Sequence, residues 1–206
     1  MPTSYPVTIT AAQVLARVSR TVGGTLGAVL NVRMNEVAVR ALGHAGLRDA
    51  EPPAKLAPGL REILADGLAC RRDVLVFGAY SGWAGEPPGS QGDLTGWECF
   101  VSSLHLDDLV PVEIGSLDDG EPVIDEENQV VLLRHGLGFA LEVARLAGEM
   151  SMAVRCIVAT NSTNGTFRFH RARAGESWLG ADLDVNSREK LIVVDSGPAS
   201  LGGTPW

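Results

Sequence analysis

Ala153 to Arg173 reads AVRCIVATNSTNGTFRFHRAR, and this stretch decides the fold class. Two runs rich in β-branched and aromatic residues flank Asn164-Gly165, a dipeptide that tolerates positive φ at both positions and so signals a tight hairpin. In the second run, alternation places Phe167, Phe169, Arg171 and Arg173 on one face and Arg168, His170 and Ala172 on the other. A hairpin of this kind needs a sheet and a layer to cover it. The neighbours supply both: RHGLGFALEVARLAGE (134–149) has apolar residues at helical spacing, and EKLIVVDSG near the end is a further strand.

Working outward, DVLVFGAY after Arg72 suits a buried strand, and SGWAGEPPGSQGDLTG is a Gly- and Pro-rich loop. Strands are expected at WECFVSSL, at LVPVEIG, and at EPVID or QVVLL. The first third reads as helical: residues 9–22, Met34 to Leu42 ending at Gly43, and a segment started by Pro58. The expectation is a single α+β domain over 1–206, with N-terminal helices (1–70) followed by a mostly antiparallel sheet carrying one packed amphipathic helix. The sheet-rich part spans 71–198 and a loose tail 199–206.

Charge is segregated along the chain. Its net charge is −8, yet between Asp73 and Leu133 there are 13 Asp and Glu and not one Lys or Arg. Nine of these carboxylates fall between His105 and Asn128. Such a run must be solvated or meet cations, from elsewhere in the fold or from a partner. It also disfavours nucleic acid, whose phosphates need a basic footprint. As a calcium loop it fails, because proline and valine stand where ligand and turn glycine belong and glutamine stands at the twelfth position.

Ser162-Thr163-Asn164-Gly165-Thr166-Phe167 resembles the late phosphothreonine-reading loop of forkhead-associated domains, and Ser102-Ser103-Leu104-His105 fits that family's earlier Ser-x-x-His. The resemblance would imply a phosphopeptide-binding β-sandwich. Three features set it aside: no Gly-Arg opening, too long an interval between His105 and Asn164, and a helix at 134–149 inside the would-be sandwich. Asn161-Ser-Thr and Asn164-Gly-Thr are also glycan sequons, without a secretion signal beside them.

No nucleophile elbow, phosphate loop, dinucleotide fingerprint or zinc motif is present, so no cofactor or metal is expected. A dispersed catalytic site would have to assemble from His105, His170, Glu176, Asp182 and Asp184 beside the arginines of 168–173. Cys70, Cys99 and Cys156 are odd in number and sit in apolar surroundings, as buried thiols in a reducing cytoplasm do. No window is apolar enough to span a membrane. Lysine occurs only at 55 and 190 while Arg, Ala and Gly abound, a bias of GC-rich bacterial genomes.

These observations favour a cytoplasmic, non-enzymatic protein that binds a basic protein partner. The expected contact residues are Trp83, Trp97, Asp107, Asp108, Asp118, Asp119, Asp125, Glu126 and Glu127, with Arg168, His170, Arg171 and Arg173 as a candidate anion-binding set. Immunity proteins that neutralise bacterial toxins share this small, acidic, motif-free character, which makes a basic toxin one expected partner. The alternatives are the dispersed-site enzyme acting on a small molecule and a subunit of a larger assembly.

Overall fold

A computed structural model of the chain describes residues 16–18, 29–43, 52–85, 87 and 93–197. The fold is α+β. Its centre is a six-stranded antiparallel sheet in the order β1 (Ala16–Val18), β2 (Val29–Met34), β10 (Lys190–Gly197), β8 (Val154–Thr160), β9 (Gly165–Arg171) and β5 (Leu104–His105). Hairpins β3–β4 (Leu68–Arg71, Val74–Phe77) and β6–β7 (Gly115–Ser116, Pro122–Val123) stand apart from it. The α-helices are α1 (Glu36–Leu42), α2 (Pro58–Ala65), α3 (Leu94–Val101) and α4 (Glu126–Glu149). No helix among the described residues is long and apolar enough to cross a membrane.

Helix α4 packs on one face of the sheet. Its buried Phe139, Ala140, Val143, Ala144 and Ala147 share a core with Val154, Cys156, Val158, Ile192 and Val194. The approach is close at Gly136, where an added Cβ would stand 2.4 Å from Val158 Cγ1. Phe139 and Phe167 meet edge to face at 4.7 Å, and Phe77 of β4 meets Phe169 at 4.9 Å. Each such ring contributes about 1.5–3 kcal/mol by burial.

The segment 172–189 straps the other face. Ser177 Oγ accepts from Arg155 of β8 at 2.7 Å, the Ala181 carbonyl accepts from Arg33 of β2 at 3.3 Å, and Asp184 Oδ1 accepts from the Glu36 N–H of α1 at 2.7 Å. Beneath it lies a row in register across four strands: Asn31, Asp195, Arg155 and His170. Asp195 is held by both Arg155 (2.5 Å) and Arg33 (3.6 Å). Buried Asn35 pins the end of the strap. Its Oδ1 caps α1 at Ala38 and accepts from the Leu191 N–H, while its Nδ2 donates to the carbonyls of Asn186 and Glu189.

Several expected elements change. In the helix expected over 9–22, residues 16–18 are strand paired with β2; the rest lies outside the described residues, as does the tail 199–206. Residues 29–34 are likewise strand rather than part of a helical first third. The helix after Pro58 stops at Ala65 and gives way to β3. WECFVSSL is mostly helix α3, because Asp93 caps it by accepting from the Gly96 N–H. LVPVEIG is irregular up to its last residue. Of EPVID and QVVLL, the first holds β7 and the second is the opening of α4, which begins eight residues before the expected 134 because Asp125 caps it and Glu126 and Glu127 favour the positive end of its dipole. The 153–173 hairpin forms, but without an Asn-Gly turn. Asn161 Oδ1 accepts from the N–H groups of Thr163 and Asn164, and Gly165 is the first residue of β9. Positive φ is found instead at Arg72 (50°) and Asp73 (67°), between β3 and β4.

Candidate functional site

The run from Glu98 to Asp107 follows the outer edge of β9. Glu98 Oε2 accepts from the Arg171 N–H at 2.8 Å; the Ser102 hydroxyl accepts from the Phe169 N–H and donates to its carbonyl; Leu104 and His105 pair as β5; and Asp107 Oδ1 accepts from the Gly165 N–H at 2.8 Å. An edge that would be open to another chain is thereby occupied by this one.

Glu98 is fully buried and ties two sheets together. Oε1 accepts from the Leu75 N–H of β4 at 2.7 Å and from Arg173 Nη2 at 2.8 Å, while Oε2 accepts from Arg171 N–H and from Arg173 Nη1 at 2.7 Å. The forked pair neutralises a carboxylate that could not otherwise stay buried. Arg171 pairs with the Asp73 carboxylate, and Arg173 also donates to the Asp73 carbonyl, so both arginines hold the Arg72–Asp73 turn. Neither the burial of Glu98 nor its partnership is signalled by WECFV, where a lone carboxylate among apolar residues was the one available cue.

The remaining members of the anion-binding set differ. His170 is buried, and because a carbonyl only accepts, its Nδ1 carries the proton donated to the Arg171 carbonyl at 2.8 Å. Its Nε2 therefore holds a lone pair, and that atom has no partner among the described residues. Burial, together with Arg155 and Arg173, lowers the His170 pKa against the Arg171 hydrogen bond and Glu98, which raise it. Arg168 donates from Nε to Ser103 Oγ at 3.2 Å, and its guanidinium lies 5.9 Å over the Trp178 ring.

The acidic set divides by role. Asp107 caps the β9 edge, Asp125 caps α4, and Glu126 pairs with nearly buried Lys190 at 3.0 Å. Asp108, Asp118, Asp119 and Glu127 are exposed, with no cation within 4 Å among the described residues. Asp118 and Asp119 form the tip of the β6–β7 hairpin, flanked by exposed Ile114 and Leu117.

Trp83 is 60% exposed, whereas Trp97 is only 4% exposed. Trp97, expected among the contact residues, is instead turned inward by helix α3 onto Val74, Val76 and Ala84. Phe100, one turn on and 63% exposed, takes the outer place, stacked on Trp97 at 5.7 Å. Helical spacing could have found Phe100 had α3 been recognised. Trp83, Phe100, Tyr80, Val101 and Ser103 line an open groove of about 210 Å³.

Within the dispersed catalytic set, Glu176 and Arg173 meet through the Thr95 hydroxyl, which donates to the first and accepts from the second. His105 is exposed on β5, Glu176 accepts from the Thr95 hydroxyl at α3, Asp184 serves α1, and Asp182 accepts from the Asp184 N–H. Burial pushes the Cys99 thiol up to about 12, away from nucleophilic use. Among the described residues no cluster of His, Cys, Asp and Glu could hold a metal ion.

No curated protein and no solved structure matches the chain. A family model matches residues 34–201, from the end of β2 through β10 and hence all of the β9 edge, α3 and α4. The chain belongs to the Uncharacterized protein PM0498 family.

Proposed function

We propose that this protein is a cytoplasmic binding module without catalytic activity, which captures a basic protein through the acidic run and aromatic groove along the β9 edge. One observation carries the reading: among the described residues Asp108, Asp118, Asp119 and Glu127 meet no cation, while Arg171, Arg173 and Lys190 are each committed to a carboxylate inside the fold. The uncompensated field would speed encounter with a basic surface, and Trp83 and Phe100 would slow release. At about 210 Å³ the groove falls below the roughly 300–1,000 Å³ of small-molecule sites, which weighs against this groove as a substrate pocket. Three free thiols suit a reducing compartment. In its finer form the partner is a basic bacterial toxin and this chain its immunity protein.

Affinity capture from lysate of the source cell, at low and then high salt, tests the reading. The expected result is one basic protein retained at low salt by the wild type and lost from the Trp83→Ala/Phe100→Ala variant. Equal retention by both, or retention that ignores salt, would count against it.

A further inference from the structure

We infer that the α3 groove accepts one bulky apolar side chain standing next to a carboxylate, and that Arg168 receives that carboxylate. The identity of the occupant as part of a protein rests on the binding reading above; the chemistry rests on the groove itself.

The groove walls come from Tyr80, Trp83, Phe100, Val101 and Ser103, all within the segment that holds no Lys or Arg. A positive charge can come to it only from another element, and Arg168 of β9 adjoins it at Ser103, a wall residue whose Oγ accepts from Arg168 Nε at 3.2 Å. Its neighbours on β8, β9 and the following turn, Arg155, Arg171 and Arg173, each hold a carboxylate. Arg168 does not: among the described residues its charge meets only the half-exposed Trp178 ring, and its terminal nitrogens have no acceptor. A half-buried guanidinium oriented by a hydroxyl and an indole face, with its fork unfilled, is arranged for bidentate capture of a carboxylate.

Size restricts the apolar part. The space amounts to roughly seven waters at about 30 Å³ each, enough for a single large side chain. The aromatic rim favours a ring there, stacked against Trp83 and Phe100. A partner that is basic as a whole thus places an anionic group at the anchor, away from the acidic hairpin.

The test titrates the full chain with N-acetyl-L-phenylalanine and, separately, with its amide, following the indole N–H resonances of the four tryptophans by NMR. The acid should move the Trp83, Trp97 and Trp178 signals. It should bind about tenfold more tightly than the amide, the worth of one charge-assisted pair. Arg168→Gln should bring the acid down to the level of the amide without weakening the amide, which also shows that the variant is folded. Phe100→Ala should abolish both. Equal binding of acid and amide, no shift with either, or a preference for acid that survives Arg168→Gln would overturn the inference. Because neither probe touches the acidic hairpin, an acid preference here stands even if partner capture fails, and capture stands even if the probes do not bind.

Discussion

Glu98 and the pair Asp118-Asp119 belong to the same acidic third of the chain, yet the fold treats them in opposite ways. Glu98 is wholly buried, with four N–H donors on its two oxygens, and it holds β4 against β9. Asp118 and Asp119 stand in water at the tip of a hairpin whose ladder is two residues long. A buried carboxylate must be fully paired and then becomes structural; an unpaired one stays affordable only at the surface, where it is free to meet another molecule. Structure and recognition are therefore separable in this chain, and variants can attack one without the other.

The largest effect is expected from Glu98→Gln. The change leaves the partly buried Arg173 guanidinium without its carboxylate and replaces a fully buried acceptor by a donor facing N–H groups, costing on the order of 3–5 kcal/mol in denaturant unfolding. Adding Arg173→Met to Glu98→Gln should recover part of that loss, so the double-mutant cycle gives a coupling of about 1–3 kcal/mol. Losses that simply add would mean that the pair is not the link between the sheets.

A smaller effect concerns pH. The folded-state pKa of His170 is lowered, chiefly by burial, so the folded chain binds fewer protons there than the unfolded chain between that value and 6.5. Stability should hold above pH 6.5 and decline as pH falls through the lowered pKa. His170→Asn, compared with wild type by thermal melts across pH 4.5–7.5, should remove this part of the slope. An unchanged slope would place the titration elsewhere.

Smallest of all should be the effect on stability of Asp118→Asn/Asp119→Asn. The variant should unfold at the wild-type midpoint while losing salt-sensitive capture of the partner. A marked fall in midpoint would show that the hairpin carboxylates are structural after all, erasing the contrast with Glu98.

The sheet's second half was legible because its signals are local: alternation at Phe167 and Phe169, and the β-branched run of 192–194, both survive into β9 and β10. Helices α3 and the start of α4 were hidden because Trp97-Glu98-Cys99-Phe100-Val101 and Val130-Val131-Leu132 carry strand-type side chains. Tertiary packing overrode those propensities, although Asp93 and Asp125 were N-cap cues at hand. The site was less legible. Segregated charge and Trp83 could be read from sequence, but the commitment of Arg171 and Arg173 to Asp73 and Glu98 joins residues 75 or more positions apart. Nothing short of the fold distinguishes Arg168 from its neighbours.

The central claim is that unpaired carboxylates of the acidic run capture a basic protein. Its most direct measurement is binding of the captured partner to the wild type and to an Asp118→Asn/Asp119→Asn/Glu127→Gln variant, across a salt series by calorimetry. The account predicts wild-type affinity that falls steeply with salt, and a variant with weaker affinity, a flatter salt dependence and an unchanged unfolding midpoint. Identical affinities and identical salt slopes would contradict it.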